Sequence, residues 1–149
     1  MMEYNGTSWV TVGNAAFSAG AASYICLVIF NGTPCVAFSD GANSNRATVM
    51  EFNGTSWVTV GSAGFSQGGI SYASLVVSNG TLYLAFQDTA HNNKATVMEF
   101  NGTGWAAVGS AGFSPGTAFS TTLAPDGAAL SVAFQDAANS SRATVMEYR

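Results

Sequence analysis

The 149 residues amount to one domain by length, and 48% hydrophobic content suffices for a core if the secondary structure finds something to pack against. Charged residues make up only 8%, far below the roughly 25% of an ordinary globular chain; the net charge is -4 with four basic residues, which excludes nucleic-acid and anionic-membrane binding. No apolar run reaches the ~18 residues of a membrane span, and Met1-Met2-Glu3-Tyr4-Asn5-Gly6 lacks the basic and apolar regions of a signal peptide, so a soluble chain without a standard export signal is expected.

In chain order, Met2–Tyr4 reads as the stub of a strand and Trp9–Gly13, within residues 8–13, as another. A 48-residue unit then becomes visible. Met-Glu-aromatic-Asn-Gly-Thr begins at Met2, Met50 and Met98, and Met146-Glu147-Tyr148 starts it again, giving repeats 2–49, 50–97 and 98–145. Aligning the first two repeats leaves 30 of 48 positions identical, the mark of recent duplication.

The second copy shows the unit most plainly. Ser71–Ser78 is a first strand, Asn79-Gly80 a hairpin turn and Leu82–Asp88 a second strand; Lys94–Phe100 is a third, and a turn at Asn101-Gly102 leads to a fourth, Trp105–Gly109. These runs are apolar on both faces, as a sheet held between neighbouring sheets requires. Four antiparallel strands per unit, stacked radially, make a β-propeller blade.

A β-trefoil has the same arithmetic, but its strands bury one face only and it has no need to begin in mid-unit. This chain opens with third- and fourth-strand segments and stops at Arg149 after a third strand. The expectation is an all-β half-propeller, residues 1–149, with three blades per chain. Propellers run to about 4–8 blades, so two copies related by a two-fold axis would give a six-bladed homodimer, the N-terminal strand 8–13 of each completing the last blade of the other.

Cys26 and Cys35 are the only cysteines. With Asn31-Gly32 as a two-residue turn, Cys35 faces Val28 and is a diagonal neighbour of Cys26, so two buried thiols and a strained disulfide both stand as readings. Asn-Gly-Thr at Asn5, Asn31, Asn53, Asn79 and Asn101 is formally a glycosylation sequon, but the hairpin turn explains each instance without sugar.

Aromatic-Asn-Gly-Thr-Ser-Trp, then Val-Gly and Gly-Phe-Ser, with Ala-Phe-Gln-Asp and Lys-Ala-Thr-Val-Met later, resembles recently amplified bacterial β-propeller repeats and the oligomeric propeller lectins. The fucose-binding lectins would imply a stacking Trp, matched by Trp9, Trp57 and Trp105, with an Arg on the first strand and a Glu on the third. Neither is present, Val49 or Met50 standing where the Glu belongs, so that site does not carry over. The Trp residues, with Phe38, Phe86 and Phe134, are expected to pack between blades.

Charge follows the repeat. Asp40, Asp88 and Asp136 end the second strands, and Arg46, Lys94 and Arg142 begin the third, bracketing loops that contain Asn43, His91 and Asn139. That loop and the Gly-rich one before each first strand share a rim, and loops carry most binding. One reading has Asp pairing with Arg or Lys across the loop mouth, worth about 0–1 kcal/mol. The other makes Asp40, Asn43, Arg46, Asp88, Lys94, Asp136, Asn139 and Arg142 a ring of equivalent sugar-binding groups, whose weak sites gain avidity together.

No metal site is expected, since His91 is alone and no ligand spacing occurs, and no cofactor either. Catalysis needs unlike groups converging at one point, and near-identical blades supply the same groups everywhere; a sialidase-like arginine cluster has only Arg46, Arg142 and the terminal Arg149 to draw on. The expected function is a multivalent, lectin-like carbohydrate-binding module that is not an enzyme. A structural or protein-interaction propeller scaffold, or an excised or designed fragment, with no small-molecule ligand is the competing reading.

Overall fold

The computed structural model describes all residues 1–149 and is built from thirteen strands. A short N-terminal ribbon pairs β1 (Met2–Tyr4) with β2 (Trp9–Thr11). Sheet I follows with β3 (Ala22–Phe30), β4 (Thr33–Asp40), β5 (Arg46–Phe52) and β6 (Trp57–Thr59). Sheet II has β7 (Ile70–Ser78), β8 (Thr81–Asp88), β9 (Lys94–Phe100) and β10 (Trp105–Ala107). Sheet III ends the chain with β11 (Ala118–Asp126), β12 (Ala129–Asp136) and β13 (Arg142–Tyr148). Every sheet is a meander of sequential antiparallel neighbours, and the first strands β3, β7 and β11 lie side by side. The result is a β-propeller-like stack of repeated sheets, and no helix is long and apolar enough to cross a membrane.

Turn chemistry follows the sequence, with one refinement. Asn31-Gly32 and Asn79-Gly80 both have positive φ (50° and 77°, 47° and 75°), as a two-residue turn compatible with strand twist requires. Asn5, Asn53 and Asn101 act differently. Each opens a four-residue loop whose backbone N–H groups bond to its own side chain, as when Thr55 and Ser56 donate to Asn53 Oδ1 at 3.0 and 2.9 Å. The fourth strands end earlier than expected, at Thr11, Thr59 and Ala107, because the chain swings through left-handed glycines at Gly13, Gly61 and Gly109.

Each sheet has a small-residue back and a large-residue front. The back of sheet I (Cys35, Ala37, Ala47, Val49) receives Leu75, Leu82, Leu84 and Phe86 from the front of sheet II. One repeat later Ala85, Ala95 and Val97 receive Leu123, Leu130, Val132 and Phe134. Small against large lets facing layers interdigitate, and each fully buried Leu or Phe contributes about 1.5–3 kcal/mol. Phe38, Phe86 and Phe134 are all buried, as expected of core positions.

Trp57 and Trp105 lock these junctions, whereas Trp9, on the terminal ribbon, is exposed. Trp57 Nε1 donates to the Val12 carbonyl at 3.2 Å and Trp105 Nε1 to the Val60 carbonyl at 2.9 Å, each reaching back to the preceding unit. Their rings stack on Phe17 and Phe65 at 4.2 and 4.6 Å between centroids.

Candidate functional site

The loop rim is fastened by its aspartates. Asp40 Oδ1 accepts from the Ala42 N–H at 3.0 Å, while Oδ2 accepts from Asn43 Nδ2 and from Thr48 Oγ1, both at 2.9 Å. Asp88 and Asp136 repeat the pattern. In the second copy His91 Nδ1 stands 2.7 Å from Asp88 Oδ2, so the one histidine fills the bracing role of Asn43 and Asn139.

Thr48 Oγ1 in turn accepts the Gly64 N–H at 2.9 Å, and Thr96 Oγ1 accepts that of Gly112 at 2.8 Å. Asp40 and Asp88 thereby tie their own loops to the loops that enter the next sheets.

This corrects the expectation that each Asp pairs with the Arg or Lys across its loop mouth. Asp40 and Arg46, Asp88 and Lys94, and Asp136 and Arg142 are register partners, yet no ion pair forms between them. The three carboxylates are buried and their oxygens are occupied by loop donors, which leaves none turned to solvent. A buried carboxylate needs several donors at fixed positions, and a short 3₁₀ turn with a Thr on the facing strand supplies them where a flexible cation would not. Asn43 and Asn139 spend their amides on the same task. Arg46 and Arg142 are exposed and Lys94 half-buried, so the basic residues remain available at the rim.

Beside them lies a feature that sequence reasoning missed. Between sheets I and II, on the loop rim, is a polar cleft of about 460 Å³ lined by Ser23, Tyr24, Ser44, Asn45, Ser71 and Thr89 among others. Tyr24 and Tyr72 have φ of 51° and 52°, a left-handed conformation that bulky residues rarely adopt. The cause is a β-bulge. Register jumps from Ser23↔Ser39 to Cys26↔Ala37, so two residues of β3 oppose one of β4, and β7 repeats the jump between Ser71 and Ser74.

The bulges bring aromatic rings into a row along the first strands. Tyr24 lies 5.3 Å from Tyr72, which meets Phe119 edge-on at 6.2 Å. The Thr121 hydroxyl donates to the Tyr72 carbonyl and the Leu123 N–H to Ser74 Oγ at 3.0 Å, fastening β11 to β7. Ser-Tyr recurring at 23–24 and 71–72, after the Gly-rich loop, was the available signal; the third copy has Phe119-Ser120 instead.

The cysteines are two free thiols. Cys35 pairs with Val28 and Cys26 with Ala37, the diagonal relation expected from the turn. Burial pushes both thiols up to about 11, with Glu51 adding to the effect at Cys35. No group of three or more His, Cys, Asp or Glu side chains converges to hold a metal.

No family model matches the chain, and no curated protein matches it. Its class rests on architecture, an all-β protein of repeated four-stranded antiparallel sheets arranged like propeller blades.

Proposed function

We propose that the chain is a half-propeller of three blades that forms a six-bladed homodimer and serves as a multivalent binding module, with neutral carbohydrate as its ligand class and no catalytic role. The observation that carries the ligand class is the strained Tyr24 and Tyr72 pair beside a cleft of hydroxyl and amide groups. Holding two tyrosines in a left-handed conformation costs roughly 1–2 kcal/mol each, and strain of this kind clusters at binding sites. An aromatic face packs against the C–H face of a sugar ring, while Ser, Thr and Asn hydroxyls and amides exchange hydrogen bonds with its hydroxyls.

Arg46 follows the cleft residue Asn45 and adds a donor near the cleft, with Lys94 and Arg142 at the same repeat position in the other sheets; Asp40, Asp88, Asp136, Asn43 and Asn139 shape the loops and act on ligand only through that shape. Repetition round the ring supplies avidity. The scaffold reading draws support from the internally satisfied aspartates, which serve structure alone.

The test is a glycan array probed with intact protein. Saturable binding that falls at least about tenfold in a Tyr72→Ala, Lys94→Ala double variant of unchanged dimer mass is expected. Absence of any glycan signal from well-folded protein would establish the scaffold reading instead.

A further inference from the structure

Both ends of the stack are open. Trp9 is 65% exposed where Trp57 is 9%; Leu27 is 51% exposed where Leu75 is 5%; Val145 is 67% exposed where Val97 is 4%. The residue types at these positions match the buried ones, so what is missing is the surface opposite. The front of sheet I lacks a small-residue back to receive it, and the back of sheet III lacks a front.

The missing hydrogen bonds match as well. At the internal junctions the Ala47 and Ala95 N–H groups donate to Ser66 and Ser114 Oγ at 2.9 Å, and the Phe65 and Phe113 N–H groups donate to the carbonyls of those alanines at 2.9 Å. The corresponding groups at the ends are Ala143 on sheet III and Ser18 and Phe17 ahead of sheet I. Ser18 Oγ already donates to the Gly20 carbonyl at 2.8 Å, the posture that Ser66 and Ser114 adopt, with its lone pairs free to accept.

A groove of about 340 Å³ beside Val108, Gly109, Phe113 and Tyr148 stands where an incoming tryptophan would sit. Phe113 holds the place of Phe17 and Phe65, the stacking partners of Trp57 and Trp105. Gly109 and Tyr148 hold the places of Gly61 and Phe100, which border Trp105.

The N-terminal ribbon identifies the occupant. Val12 N–H bonds to the Met1 carbonyl at 2.9 Å just as Val60 bonds to Val49, and β1 pairs with β2 in the register of β5 with β6. Met2-Glu3-Tyr4 has the sequence of Met146-Glu147-Tyr148. The strand β1 is thus a three-residue stand-in for β13, without the two strands that should lie behind it, and Ile25, Leu27 and Ile29 stay uncovered as a result.

We infer that a second copy of this chain closes the stack by strand exchange: its β13 displaces β1 from the edge of β2, and Trp9 enters the groove at Val108, Gly109, Phe113 and Tyr148 of that copy. This rests on the half-propeller reading above. Two such head-to-tail junctions, related by a two-fold axis, join six sheets into a ring. Tyr148, Glu147 and Met146 then face Trp9, Val10 and Thr11, and Trp9 Nε1 donates to the Val108 carbonyl. Glu147 shares that back face with Ala143 and Val145 and would be half-buried there, as Glu51 and Glu99 are at the internal junctions.

Light scattering on the intact chain and three variants tests this. The intact chain should have the mass of two copies. Val145→Asp and Trp9→Ala alter residues exposed in the single chain, so each variant should fold and yet dissociate at least about tenfold more readily. Mixing the two variants restores one sound junction of the two, and dimer should partly return. Deleting residues 1–7 removes the competitor β1 but keeps β2, so the dimer should persist or tighten. An intact chain that is monomeric at every concentration sinks the six-bladed reading itself. A dimer that survives both substitutions, fails to re-form on mixing or is lost on deleting residues 1–7 overturns the exchange and leaves the dimer standing.

Discussion

The junction between sheets I and II and the open front of sheet I present the same repeat positions to different surroundings. Leu75 and Leu27 occupy equivalent places on β7 and β3, and both flank a large buried Phe, Phe86 in one sheet and Phe38 in the other. One leucine meets the alanines and valine of the neighbouring back; the other meets solvent. Hydrophobic stabilisation belongs to the pair of facing surfaces, and a repeat protein whose end surfaces find no partner forgoes it there.

The widest gap should appear between those two leucines. At concentrations low enough to hold the chain single, Leu75→Ala should cost about 2–5 kcal/mol in a urea titration, while Leu27→Ala should stay within about 0.5 kcal/mol. Equal costs would break the comparison. Convergence of the two costs at high concentration would sharpen it, by placing a second copy over Leu27.

A smaller contrast lies in the loop braces. Thr96 relays Asp88 to the Gly112 N–H, whereas Thr144 sits 3.4 Å from Asp136 and no following loop donates to it. Asp88→Asn should therefore cost about 1–3 kcal/mol in thermal unfolding of the single chain, and Asp136→Asn distinctly less.

Next comes the strained rim. Tyr24→Gly relieves a left-handed side chain that is exposed, and should raise stability by about 1 kcal/mol while removing an aromatic face from the cleft. A loss of stability would show that the ring contact with Tyr72 outweighs the strain.

The last effect appears only in alkali. Burial holds the folded thiols at about 11 against 9.0 for an unperturbed one, so between those values the unfolded chain ionises first and stability falls as pH rises. The double variant Cys26→Ala, Cys35→Ala should show a shallower decline between about pH 9 and 11 in the same titration.

Much of the fold was legible in the sequence because the repeat displays its turns. The two-residue Asn-Gly turns, the bulk of every strand and the buried Phe positions follow from alternation and from positive φ at Asn and Gly. The site was less legible. Asp beside Arg reads as an ion pair in a linear sequence, but the carboxylate is closer to its own loop N–H and to Thr48 on the facing strand, and these donors satisfy it first. The bulge at Tyr24 was invisible, because an added residue on a strand appears only when its register is compared with a neighbour's.

By itself the sequence determined the 48-residue period, the four-strand unit and the two apolar faces of each sheet, since these depend on local conformation and on side-chain order along one strand. Only the tertiary structure decided which residues of equal type are buried and which are left open. Burial is set by the surface that lies opposite, and for Trp9, Leu27 and Val145 that surface is absent from the single chain.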